Sequence, residues 1–196
     1  VSSGAVSKPA FEHLLMYELG ADAGPDLETE LATRLQDGRL PKGDELFEPT
    51  AFNILFRPLW NEIKARDIPG TTPEPLGAGP LRVNYLFVLS DAASPEQEDA
   101  YNYWYDRQHV PDVLRVPGFV SAQRYVRIAG NPKAPRYMVI FKFKARDNDA
   151  TNAEIRRRIQ AGITKMSPAF GMSPEAMALG GSYAPTGPRV VAPRSR

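Results

Sequence analysis

Residues 94–127 read SPEQEDAYNYWYDRQHVPDVLRVPGFVSAQRYVR, and this stretch holds the densest chemistry and the clearest structural punctuation of the chain. Ser94 before Pro95, with Gln97 three residues on, predicts an N-cap, a first-turn proline and a capping-box partner. A helix is expected to start there. Tyr101, Tyr105 and His109 recur every four residues and so share one side of that helix, with Trp104 and Gln108 on an adjoining row. Val110-Pro111 is expected to weaken the helix, because an interior proline lacks the backbone donor and restricts the residue before it. The histidine thus falls where the helix loosens. Val116-Pro117-Gly118 turns the chain, and Phe119 to Arg127 returns as a strand.

On the N-terminal side, Leu81 to Leu89 alternates, with Leu81, Val83, Tyr85, Phe87 and Leu89 on one face and Arg82 and Asn84 on the other. On the C-terminal side, a turn at Gly130-Asn131-Pro132 leads to a strand over Tyr137 to Phe143. Asp149 to Gly162 reads as a second helix, capped by Asp149 or Thr151 and turning Ile155 and Ile159 inward; 172–183 contributes a short last strand. The order from residue 81 to 183 is β-α-β-β-α-β, the split βαβ arrangement of an α+β, ferredoxin-like domain. Residues 184–196 read as an extended tail. The expected core is Leu81, Val83, Phe87, Trp104, Leu114, Val139, Phe141, Ile155 and Ile159, with Leu27, Leu31 and Leu35 in the first half.

Residues 67–80, DIPGTTPEPLGAGP, form a proline- and glycine-rich linker. Before it, 1–66 offers a strand over 10–19, a helix capped by Asp26, and a strand over 51–57. A shift of 124 positions lays His13 to Leu19 on Tyr137 to Phe143, and Leu31, Arg34, Leu35, Gln36 and Gly38 on Ile155, Arg158, Ile159, Gln160 and Gly162. Read as a partial repeat, 1–66 supplies a third strand, a second helix and a fourth strand. About 45 to 50 residues of the repeat are then expected upstream of Val1, or a partner chain in their place.

With 42% hydrophobic residues, the 196-residue chain can build a sizeable core, as one domain or two small ones. A net charge of +1 gives no overall electrostatic case for nucleic acid or an anionic membrane. No cysteine is present, which removes disulfides, thiolate metal sites and cysteine nucleophiles. No apolar run is long enough to span a membrane and no signal-peptide pattern is visible, so a cytoplasmic location is expected. A His pair at metal-ligand spacing, a phosphate loop and a Walker pattern are all lacking; Gly77-Ala78-Gly79 precedes a strand instead of a helix.

The run Tyr103-Trp104-Tyr105-Asp106-Arg107-Gln108-His109-Val110-Pro111-Asp112-Val113-Leu114, followed by Val116-Pro117-Gly118-Phe119 and Arg124-Tyr125, resembles the W-Y-D-x-x-H-x-P-x-x-L-x-x-P-G-F-x-x-x-x-R-Y signature of dimeric α/β-barrel proteins of the EthD-like kind. The match covers about residues 81–143. It implies a ferredoxin-like sheet packed face to face with a second such sheet, from another chain in a homo-oligomer or from a tandem repeat, around an interior pocket. The wider superfamily includes cofactor-free cyclases, lyases and isomerases, monooxygenases, haem-degrading enzymes and proteins of no known activity. Fold follows more firmly than reaction, since function must be argued from the site.

Two histidines occur, His13 and His109, and imidazole is the side chain best suited to proton transfer near neutral pH. His109 is the stronger candidate, with Asp106 or Asp112 placed to orient it; the bland reading is a helix-end histidine bonded to a backbone carbonyl. Tyr105 and Tyr101 can offer hydroxyls from its side of the helix, while Trp104 reads as core. His13 and Tyr17 from the first half, with Tyr137, Tyr125 and Asn84, complete the substrate-binding candidates. Arg124 and Tyr125 point to opposite faces, so at most one lines a pocket. The reading favoured is a cofactor-independent lyase, cyclase or isomerase, with His109 as general acid/base acting on a small hydrophobic, phenolic or polyketide-like molecule. A noncatalytic ligand-binding barrel, or a haem- or oxygen-using monooxygenase, is the competing reading.

Overall fold

Alternation puts the side chains of a strand on two faces, and in the central strands of this protein both faces are buried. The computed structural model describes Met16, Thr29, residues 54–130 and residues 133–186. Strands β1 (Ile54–Pro58), β2 (Ile63–Lys64), β3 (Arg82–Ala92), β4 (Phe119–Gly130), β5 (Tyr137–Ala145), β6 (Phe170–Gly171) and β7 (Gly181–Tyr183) form a sheet in the order β1-β4-β5-β3-β6. β2 also pairs with β4, and β7 with β3; every pairing is antiparallel. Helices α1 (Glu98–Trp104) and α2 (Val110–Leu114) follow β3 and are joined by a π-helical turn at Tyr105–His109. α3 (Asn148–Gln160) follows β5, and α4 (Pro174–Leu179) precedes β7. Strands and helices share one α+β unit, as the alternation of periods two and 3.6 implied.

One face of the sheet turns Leu86, Ala122, Val139, Phe141 and Phe143 toward Tyr101, Trp104, Tyr105, Val113, Leu114 and Ile155 of the helices. Fully burying side chains of this size stabilises by about 1.5–3 kcal/mol each, so this layer is the main core. The opposite face gathers Phe87, Leu89 and Ile140 around Ala176 of α4, and the Tyr183 ring meets Phe87 edge-on with centroids 5.6 Å apart.

The two-sided burial corrects the expected core. Leu81, just before β3, and Val83, near its start, are exposed, whereas Asn84, on the face expected to be polar, is buried, as is Ser90 farther along the same face. Leu86, between them in the alternation, belongs to the main core. Trp104, Leu114, Val139, Phe141 and Ile155 are buried as expected, with Ile159 packed partly against them. Two caps also differ. Ser94 makes no side-chain cap, and Pro95–Gln97 tighten into a 3-10 turn before α1. Asp147, not Asp149 or Thr151, caps α3, accepting from the Asp149 and Ala150 amides at 2.8 and 3.3 Å. Ser173-Pro174 carries the same start signal as Ser94-Pro95, and there the serine does accept, from the Ala176 amide at 3.1 Å; residues 172–183 thus hold α4 ahead of the expected last strand, β7.

Apart from Met16 and Thr29, the expected strand over 10–19 and the helix after Asp26, with the core positions Leu27, Leu31 and Leu35 and most of the tail, lie outside the described residues, and so does nearly all of the first half of the repeat. Ile54–Pro58 is a strand, paired with β4. The segment from Ile68 to Leu81 carries neither helix nor strand, yet it is fastened to the domain: the Gly118 amide donates to Thr72 O at 3.1 Å, Arg146 N to Leu76 O at 3.2 Å and Arg115 Nε to Pro69 O at 3.0 Å.

Gly118 is where that strap, α2 and β4 meet. Its φ is +88°, and a Cβ there would sit 2.3 Å from Lys144 O and 3.2 Å from Pro75 Cα. Gly162, with φ +68°, has open space instead. Gly162→Ala is expected to cost about 1 kcal/mol, the left-handed backbone penalty alone, and Gly118→Ala at least about 3 kcal/mol, because backbone must move. Urea unfolding of the two variants checks the order.

Candidate functional site

The aromatic row is built by the π turn. Val110 N bonds back to Tyr105 O, one residue further than in an α-helix, and the chain continues into α2 through Pro111. Pro111 thus does not end the helix: the turn before it absorbs the change in bonding, and the proline stands in the first turn of the next segment, where a missing donor is tolerated. Such bulges are frequent at functional sites. Tyr101, Trp104, Tyr105 and His109 all end up buried against the sheet, while Tyr103 is exposed.

Opposite them, β4 delivers Arg124. The register pairs Arg124 with Val139 and Val126 with Tyr137, while Ser90 of β3 pairs with Tyr137 on the other side. Arg124 is 1% exposed, and its guanidinium lies 5.0, 4.6 and 4.8 Å from the ring centres of Tyr101, Tyr105 and Tyr137. A buried charge is tolerated only when paired and hydrogen-bonded. Arg124 Nη1 donates to Asp106 Oδ1 at 2.7 Å and Nη2 to Asn102 Oδ1 at 2.6 Å. Trp60 Nε1 donates to the same Asp106 oxygen at 3.1 Å, Asn102 Nδ2 to Tyr137 Oη at 3.1 Å, and Tyr137 Oη to Glu98, which also pairs with Arg136 at 3.0 Å. Each aromatic face adds attraction of the order of 1–2 kcal/mol in such a dry setting.

Three buried polar atoms in this cluster have no hydrogen-bond partner among the described residues: Tyr105 Oη, His109 Nδ1 and Arg124 Nε. Ser90 Oγ lies near enough to act on the Tyr105 phenol, but its hydrogen bond, at 2.7 Å, is with Tyr101 Oη. The His109 ring packs on Trp104 and Tyr105 with centroids 4.6 and 4.9 Å apart. Burial, then the Arg124 charge, push its pKa down to about 4, so the ring is neutral near neutral pH. Burial also raises Tyr101 to about 12 against the opposing pull of Arg124, and drives Tyr105 higher still. At neutral pH the cluster therefore offers phenol donors, one cation and an uncharged imidazole.

Of the residues singled out from sequence, His109, Tyr105, Asp106, Tyr101 and Tyr137 are brought together. Asp106 bonds Arg124 and Trp60, and Asp112 bonds Arg115 at 2.9 Å, so the imidazole takes its orientation from ring packing instead of a carboxylate. Nor is it bonded to a backbone carbonyl among the described residues. Tyr125 packs on the opposite face of the sheet, with the Phe87 and Ile140 group. Asn84 is on the correct face but six residues along β3 from Ser90, roughly 20 Å away, where its amide meets Arg82 O and Asn148. His13 and Tyr17 lie outside the described residues. The cluster lies between the helix and its own sheet, whereas the barrel reading put it in a chamber between two sheets. Of Arg124 and Tyr125, of which at most one was expected to line a pocket, it is Arg124 and not the chosen Tyr125 that joins the cluster, and Asn102 was missed. An arginine alternating with Ala122 and Val126 on an apolar face was the available signal for Arg124; nothing local marked Asn102.

No protein-family model matches the chain, and comparison with curated proteins and with solved structures gives no match either. Among the described residues no group of three or more His, Cys, Asp or Glu side chains is placed to hold a metal ion, and no helix is long and apolar enough to cross a membrane.

Asp106→Asn would strand the Arg124 charge, and unfolding titrations are expected to show a loss of about 2–4 kcal/mol, below the full figure for a sealed pair because Asp106 keeps one-third of its side-chain surface in water. His109 gives a pH signature. Its folded pKa of about 4 lies below the ordinary 6.5, so the unfolded chain binds the extra proton between those values. Stability is therefore full above 6.5 and falls as pH drops toward 4, by roughly 3 kcal/mol in all. His109→Leu should remove that slope from the pH dependence of the unfolding free energy.

Proposed function

We propose that the protein is a cofactor-independent enzyme of the lyase, cyclase or isomerase type, moving a proton at carbon next to a carbonyl or phenol in a small aromatic or polyketide-like substrate. The observation that carries this is the pair of unpartnered groups, Tyr105 Oη and His109 Nδ1, in one buried aromatic cluster. Each such group costs about 1–3 kcal/mol when left unbonded. A ligand that accepts from the phenol and donates to the imidazole answers both.

In this reading His109 is the base and Tyr105 the donor to the oxyanion. With its proton on Nε2, Nδ1 takes the substrate C–H proton; the C–H electron pair becomes the enolate double bond, and the carbonyl electrons settle on an oxygen held by the Tyr105 hydroxyl. Trp104, which packs beside His109, is the aromatic surface for the ring of the substrate. With a conjugate-acid pKa near 4 the imidazole is a weak base, but an enolate forming beside it strengthens it by opposing the Arg124 field.

The strand order β7-β3-β5-β4 supports assigning residues 81–183 to the ferredoxin-like class. On the far face Phe56, Tyr85, Tyr125 and Met138 are only partly buried, which supports packing against a second sheet, from another copy of the chain or from its first half. Proton exchange in heavy water tests the chemistry without knowledge of the natural substrate. Aryl 1,3-diketones and acylated phenols should exchange their acidic C–H faster with protein present, about 100-fold less with His109→Gln and at least about 10-fold less with Tyr105→Phe. A folded His109→Gln protein that retains full exchange activity defeats the assignment.

A further inference from the structure

We infer that Arg124 Nε, Tyr105 Oη and His109 Nδ1 form a receptor for an aromatic monoanion, a carboxylate or phenolate, and that the anion binds together with one proton. The inference rests on the site of the proposed enzyme but not on its chemistry. Arg124 makes one hydrogen bond from each terminal nitrogen, to Asp106 and to Asn102; Nε is its one nitrogen without a partner among the described residues, and it is fully buried. The guanidinium centre 4.6 Å from the Tyr105 ring, and that ring 4.9 Å from His109, bring the three unmet groups into one cluster. Two of them, Nε–H and O–H, are donors, and a shared acceptor between a guanidinium and a phenol is best filled by a negative oxygen. Trp104, packed beside both Tyr105 and His109, makes the surroundings of these groups aromatic and apolar, which favours a flat, apolar body over a free inorganic ion.

Charge decides the accompanying proton. The groups around His109 are Arg124 from β4, Tyr105 and Asp106 from its own helix, and, beyond Tyr137 of β5, the Glu98–Arg136 pair. Arg124 is already balanced by Asp106, and Glu98 by Arg136. An added anion would leave the layer one negative charge in excess unless a group nearby becomes positive. The imidazole is the one that can: the anion screens it from Arg124 and offers an opposite charge.

Benzoate and salicylate are suitable anionic probes, with benzamide as the neutral molecule of matching shape. Titration calorimetry in buffers of different ionisation enthalpy is expected to show benzoate or salicylate binding at least about tenfold tighter than benzamide, the worth of one hydrogen bond to a charged group, with uptake of close to one proton near neutral pH. Nitrogen-15 NMR of the unmutated protein should show the Arg124 Nε–H signal moving with the anion and not with benzamide, so the test does not hang on an arginine variant that fails to fold. Arg124→Lys, if folded, should lose the tenfold preference, since lysine lacks the fork. Failure of both anions to bind, equal binding of benzamide, anion binding without proton uptake, or an unmoved Nε–H signal overturns the inference. Anion binding kept while proton exchange fails would refute the enzyme reading alone, and exchange without anion preference would refute this one alone.

Discussion

The arrangement of this protein depends on one buried cation. Arg124 enters the layer between helix and sheet with almost no access to water, and a guanidinium in that position needs its neighbours fixed. Asp106 and Asn102 come from the helix, Tyr137 from the adjacent strand, and Trp60 reaches Asp106 from the segment between β1 and β2. One set of hydrogen bonds therefore ties together pieces of chain that are far apart in sequence. Apolar side chains alone would hold these layers together, but they would set the helix rotation less strictly than a forked donor with two defined acceptors.

That fixed rotation gives the site its character. The π turn lets Tyr101, Trp104, Tyr105 and His109 share the buried side, and the helix then continues past Pro111. Once there, the imidazole is held beside a positive charge in a dry layer, and both influences favour its neutral form. The same dryness keeps the tyrosines protonated. Donors and a lone-pair acceptor thus coexist within one aromatic cluster, the combination that the proposed enolate or aromatic acid would need.

Much of the fold was legible because period-two and period-3.6 patterns and proline-glycine turns are local signals. β3, β4, β5 and α3 fall where their patterns put them, within a few residues at the ends. What failed was the assignment of faces. β3 was read as having a single apolar side, yet it is covered on both, and its buried Asn84 and Ser90 look polar in sequence; burial by elements from elsewhere in the chain leaves no local trace. At the site, the spacing of Tyr101, Tyr105 and His109 carried enough information to group them. The partner of Asp106 did not follow from spacing: three residues of helix separate it from His109, but a fully buried arginine across the layer binds a carboxylate more strongly than a neutral imidazole does.

The chemistry of the site requires a neutral His109 enclosed beside Arg124. A nitrogen-15 NMR titration of the His109 ring reads its protonation directly. The structure predicts an uncharged ring throughout the neutral range, with a midpoint near 4 in the free protein. A midpoint at the ordinary value of about 6.5 would show the ring to be hydrated and remote from the guanidinium, and would contradict the site described above.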